Sequence, residues 1–143
     1  MLVRLLYVSR AAENLSAATV DAIVAQSRKN NPDAGITGLL CHSGTVFMQV
    51  LEGGRAAVNA TYGRIVSDPR HSDVQLLMYE EISERRFAGW TMGKANLEKV
   101  NLSVLLKYSE KPELDPYAVS GKASMALLDE LMATASIASC GNG

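Results

Sequence analysis

The chain has 143 residues, 48% of them hydrophobic, and a net charge of −1 from 14 basic and 15 acidic side chains. That suits one globular domain with a real core and is too short for two of ordinary size; no basic block stands out, so nucleic acid is disfavoured as a partner. No apolar run approaches the roughly 18 residues of a membrane span, and two cysteines, Cys41 and Cys140, make no disulfide framework, so a reduced cytoplasmic protein is expected.

Residues 1–10, MLVRLLYVSR, are too short and too early-charged for a secretory signal. Residues 2–8 read as a first strand, with Val3, Leu5 and Tyr7 on one face. Residues 16–31 read as a helix, with Ser16 as N-cap and Pro32 as the stop. Its inner stripe is Val20, Ile23 and Val24, and continues into the polar Ser27 and Asn31. Two strands, 36–42 and 45–51, flank a hairpin turn at Ser43-Gly44. Gly53-Gly54 breaks the chain before a second helix, 55–66, striped by Val58, Thr61, Tyr62 and Ile65. Asp68-Pro69 ends that helix. Residues 74–82 form a fourth strand, and Trp90, Thr91 and Met92 suggest a short fifth. Two helical patterns follow, at 97–108 and 118–138, with a turn-rich linker between them.

The order β-α-β-β-α-β-β predicts an α+β, ferredoxin-like sandwich: a five-stranded mixed sheet with two helices on one face. The C-terminal helices would cover the other face or offer it to a partner. The expected division is a domain over 1–96 and a helical extension over 97–143, in one globular unit. His42 and His71 are isolated, and there is no CxxC, HExxH or Walker-type loop, so no metal site is expected. Arg85-Arg86 reads as a charge pair on a turn without a function, and Cys41 as a small core residue.

One residue breaks the pattern. Gln49 lies in TVFMQVLEG and shares its strand face with Phe47 and Leu51. A buried amide carries one acceptor and two donors, and left unpaired it costs about 1–3 kcal/mol. In a sandwich of sheet order 4-1-3-2, the first and third strands are neighbours, so Tyr7 and Gln49 can meet on the helix-covered face. A slot between the helices would have apolar walls (Ile23, Val24, Phe47, Ile65). Its rim would carry Ser27, Asn31, Asp68, Arg70 and His71. Such a slot suits a flat heteroaromatic with polar edges.

TVFMQVLEG, preceded by RKNNPDAGITGLL and followed by RIVSDPRH and RRFAGWTM, resembles the BLUF family, blue-light sensors that use FAD. The resemblance covers about residues 1–95. It implies that Tyr7 and Gln49 are the photoactive pair and that Asn31 bonds the ring edge, with Asn30 nearby. It places Ser27, Asp68, Arg70 and His71 on the flavin's polar edge and side chain, with Ile23 and Ile65 also at the cofactor. Trp90 and Met92 match two signal-relay residues on the fifth strand. It further implies that Tyr7 gives up an electron and, through Gln49, a proton under light. Recombination would restore the oxidised flavin but leave Gln49 rearranged, by rotation or tautomerisation, with absorption shifted slightly to the red. The residues alone do not separate FAD from FMN.

No effector domain is expected after residue 95. The chain is read as a non-enzyme that signals to a separate effector, such as a cyclic-dinucleotide phosphodiesterase or a response-regulator-like protein, or by forming homo-oligomers. Two other classes compete. One is a ferredoxin-like ligand-binding or assembly module without photochemistry. The other is an acylphosphatase-type enzyme, which would need an Arg in a phosphate-binding loop and an Asn on a strand; Asn31 and Arg70 are the candidates, and neither sits in a Gly-rich loop after the first strand.

Overall fold

A computed structural model describes residues 1–11, 16–113 and 115–133. β1 (Leu2–Ala11) is buried along almost its whole length, as expected of an apolar strand with cover on both sides. α1 (Ala17–Ala34) starts at Ser16, whose side chain accepts the Thr19 N–H. β2 (Thr37–Ser43) and β3 (Val46–Gly54) form the hairpin, α2 (Arg55–Ser67) follows at once, and β4 (His71–Ile82) leads to β5 (Gly93–Asn96). A single 3₁₀ turn, Leu97–Lys99, precedes α3 (Leu102–Tyr108) and α4 (Gly121–Ala133).

The strands lie in the order β4-β1-β3-β2-β5. All pairings are antiparallel except β2 with β5. Side-chain alternation splits the interior into two cores. Val3, Leu5, Tyr7, Phe47 and Leu51 pack with Val20, Val24 and Val58 of α1 and α2. Leu6, Leu39, Cys41, Met48 and Val50 pack with Leu105 of α3 and Leu127, Leu128 and Leu131 of α4. The two C-terminal helices therefore cover the second face of the sheet, and Cys41 is a buried thiol within that core.

Several boundaries differ from the sequence expectation. Pro32 lies inside α1, not after it. In the last turn its missing N–H forfeits one helix bond, and the true stop is Gly35, in the left-handed region at φ 70°. The hairpin turn is at Gly44-Thr45. Residues 97–108 are not one helix: Asn96 caps the 3₁₀ turn and Asn101 caps α3. The last expected helix begins at Gly121, and its predicted end, 134–138, lies outside the described residues. Trp90 and Met92 precede the fifth strand instead of forming it. There the Trp90 carbonyl takes the Gly38 N–H, and ladder pairing with β2 begins at Gly93 opposite Leu39.

Candidate functional site

Strand register brings the site together. β1 and β3 run antiparallel with Tyr7 directly opposite Gln49, and β2 places Leu40 on Gln49's other side. All three project toward α1 and α2. Between these helices lies a slot of about 270 Å³. Leu40, Phe47, Gln49, Leu51 and Tyr7 floor it; Ile23, Ser27, Asn30 and Asn31 come from α1, and Ile65 comes from α2. Asp68, Arg70 and His71 close its rim, in the turn between α2 and β4.

Every cofactor-contact residue expected from the sequence thus lines one cavity. Val24 does not; it is 1% exposed and packs in the core behind. Gln26, Leu40, Leu51, Thr61 and Arg64 also line the slot, beyond the residues expected there; Leu51 shares Gln49's face by alternation. Gln26 and Arg64 each precede a recognised lining residue by one position, and a slot wider than a single helical stripe reaches such neighbours. Thr61 was already on the α2 stripe, and Leu40 follows from alternation once β2 is placed beside β3.

At the floor, the Tyr7 hydroxyl donates to Gln49 Oε1 at 2.5 Å, and Gln49 Nε2 donates to Met92 Sδ at 3.4 Å. Both side chains are buried, at 1% and 4% exposure. Burial, with Tyr62 and Asp68 adding, holds the Tyr7 phenol far above its ordinary range. Tyr7 therefore keeps its proton in the dark, and that proton points at an amide oxygen. The Tyr62 ring stands 5.6 Å from the Tyr7 ring and backs it on the α2 side.

At the rim, Arg70 grips both carboxylate oxygens of Asp68, at 2.7–3.1 Å, and this holds Asp68 below the usual carboxylate range. His71 shares a 2.9 Å hydrogen bond with Ser9 and lies 5.2 Å from the Phe47 ring. Burial lowers its pKa, so it stays neutral near pH 7. Asn31 is 7% exposed and donates one long bond, 3.4 Å, to the Thr91 carbonyl. Met92 is fully buried on the slot side, whereas Trp90 is half-buried and packs with Phe87 against the other core.

The donor set fits an isoalloxazine. Apolar side chains line the slot, the amides of Gln26, Asn30, Asn31 and Gln49 can both donate to and accept from ring nitrogens and carbonyls, and Ser27, Arg64 and Arg70 add further polar groups to the lining. Among the described residues no cluster of His, Cys, Asp or Glu could hold a metal, and no helix is long and apolar enough to cross a membrane.

Comparison with known proteins agrees with this geometry. The family model described as BLUF, sensors of blue light using FAD, matches residues 2–93. The photoactivated adenylate cyclase subunit beta of Euglena gracilis is 37% identical over 98 residues, which is 68% of this chain and 11% of that protein. The chain thus spans about a tenth of that relative's length. Two solved structures align over nearly their whole length. The structure titled BlsA photo-activated state has a TM-score of 0.82 and 28% identity, covering 92% of this chain and 95% of its own. The structure titled BlrB, a BLUF protein in its dark state, has a TM-score of 0.76 and 32% identity, covering 94% and 96%.

Proposed function

The chain belongs to the BLUF family of blue-light photoreceptors using FAD, and from that premise we propose that Tyr7 and Gln49 are its photoactive pair. The observation that carries this is the 2.5 Å hydrogen bond from Tyr7 to the Gln49 oxygen at the floor of the slot. Bound FAD supplies a blue-absorbing ring that accepts an electron when excited. Tyr7 gives that electron, and its acidified proton has a path along the short bond to Gln49. The electron and proton then return to Tyr7, which restores the oxidised ring, while Gln49 is left rearranged, by rotation or tautomerisation, and would offer the ring different hydrogen bonds. Asn31 would bond the ring edge with Asn30 beside it, Ile23 and Ile65 would give the ring apolar contact, and Ser27, Asp68, Arg70 and His71 would hold the cofactor's polar edge and side chain. Only hydrogen bonds change, so the lit state decays in the dark.

The output in this reading starts at Met92, the acceptor for Gln49 Nε2. Thr91 and Trp90 join it to α1 and β2 through the Asn31 and Gly38 bonds. Movement there passes to β5 and the C-terminal helices. We place the flavin-binding domain at 1–96 and the output or oligomerisation extension at 97–143, in one unit. The relative that is an adenylate cyclase subunit matches over a tenth of its length, which supports a sensor segment coupled to a separate activity. This chain is accordingly read as a sensor without catalysis of its own, in the cytoplasm. It would signal to an effector such as a cyclic-dinucleotide phosphodiesterase or a response-regulator-like protein, or through homo-oligomers.

The test is an absorption spectrum of dark-purified protein before and after blue light. A yellow protein with a small red shift, reversible in the dark, supports the reading. Gln49→Leu should keep the flavin and lose the shift. A shift that survives in that variant removes Gln49 from its role. A colourless protein would favour a ligand-binding module without photochemistry.

A further inference from the structure

The most deeply buried charge among the described residues is not in the slot. Glu52 sits three positions beyond Gln49 on β3, on the opposite face of the sheet, and is 0% exposed. Its carboxylate accepts Arg4 Nε at 2.8 Å. It also accepts two backbone N–H groups: Arg86 at 2.9 and 3.1 Å, and Phe87 at 2.7 Å. A buried carboxylate is costly unless fully bonded. Here Arg4 of β1 supplies the charged partner, and both backbone donors come from one loop, the connection from β4 to β5 that ends in Trp90, Thr91 and Met92.

The same loop start is tied elsewhere. Arg85 Nη1 donates to Thr37 Oγ1 at 3.1 Å and to the Glu52 carbonyl at 3.4 Å. Arg86 Nη1 meets both carboxylate oxygens of Asp129 on α4, at 2.9 and 2.8 Å. Arg85–Phe87 and α4 are therefore bound to β3. The far end of the loop is bound instead to Asn31 and Gln49, through Thr91 and Met92. Between the two ends lie exposed Ala88 and Gly89, and a Cβ on Gly89 would meet nothing within 4 Å. β5, the 3₁₀ turn and α3 continue directly from Met92.

We propose that Glu52 is a positioning residue of the light response: it clamps Arg85–Phe87, and through Arg86 α4, to the sheet as a static frame. A rearrangement at Gln49 then moves Ala88–Asn96 and leaves through α3, not α4. This rests on the relay reading above and names which of the two helices lies in series with it.

Hydrogen–deuterium exchange of the full flavin-loaded chain, dark and lit, tests the proposal. In the wild type, light should change exchange in 88–108 and leave 83–87 and 121–133 at their dark rates. Glu52→Gln keeps an acceptor and removes the charge. It should spread the light-dependent change severalfold into 83–87 and 121–133. The red shift should persist, because Tyr7 and Gln49 lie on the other face. Trp90 is the chain's single tryptophan, and its emission in the dark should move to the red in Glu52→Gln as the loop loosens. Arg86→Ala retains the backbone clamp, so it should raise α4 exchange equally in dark and light.

Light-dependent exchange in 83–87 or α4 of the wild type as large as that in 88–96 overturns the proposal, even if Glu52→Gln fails to fold. A Glu52→Gln protein matching the wild type in both exchange and Trp90 emission also overturns it. Absence of any red shift in the wild type would instead sink the relay reading, and the dark Trp90 emission would still decide whether Glu52 positions the loop.

Discussion

At the residue scale, the Tyr7–Gln49 bond separates photochemistry from stability. Tyr7→Phe leaves the ring in place, so the slot and its flavin should remain. It strips the donor from a buried amide oxygen, which costs about 1–3 kcal/mol. Urea unfolding should register that loss, and the light-induced red shift should vanish. An intact shift would make another side chain the donor. The rim carries a second prediction. The folded-state pKa of His71 is depressed by burial, so the unfolded chain takes up its proton first as pH falls. The corresponding stability is complete above about pH 6.5, the ordinary histidine value. It is lost as pH drops from there through His71's own lower value. His42 is shifted the same way, also by burial, so two groups share the slope. Each proton can contribute at most about 1.4 kcal/mol per pH unit, and partial exposure lowers that. His71→Gln should flatten the fall in thermal stability between neutral and mildly acid pH without abolishing it. An unchanged profile would show that His71 is not buried neutral.

At the element scale, alternation and strand order made most of the site legible. Tyr7, Gln49 and Phe47 share a face by parity, and a hairpin-plus-crossover topology makes β1 and β3 neighbours. The helix stripe ending in Ser27 and Asn31 then had to face them. What parity does not reveal is where pairing begins. Trp90-Thr91-Met92 is richer in β-formers than Gly93–Asn96, yet the ladder uses the latter. β2 accepts a parallel partner only from Gly93, and there the Trp90 ring lies over the strand. A Cβ on Gly93 would sit 2.7 Å from Trp90 Cε3. Gly93→Ala must therefore push the indole aside, at about 1–3 kcal/mol. Trp90 fluorescence should change along with the unfolding midpoint; a silent variant would mean that the indole packs elsewhere. Glu52 was illegible for a related reason. A glutamate beside Gly-Gly reads as a solvated turn, and its partners, Arg4 and Arg86, lie 48 and 34 residues away.

At the scale of the whole molecule, the sheet serves two cores that do different work. One face holds the slot, and the other is closed by α3 and α4. Leu105, Leu127, Leu128 and Leu131 are each no more than 4% exposed. Burying four leucines contributes about 6–12 kcal/mol, which rivals the net stability of an entire domain. Cutting the chain after residue 96 should therefore do more than silence the output. It would bare Leu6, Leu39, Met48 and Val50 together, and the expected result is aggregation or unfolding. A milder change separates the two cores. Leu128→Ala, from a residue with 0% exposure, should cost about 2–5 kcal/mol. Flavin binding and the size of the red shift should stay at wild-type values, because no slot residue touches that side of the sheet. If Leu128→Ala alters the shift, the faces are energetically coupled through the strands in the dark. The second core would then be part of the photoactive site, and not only its support.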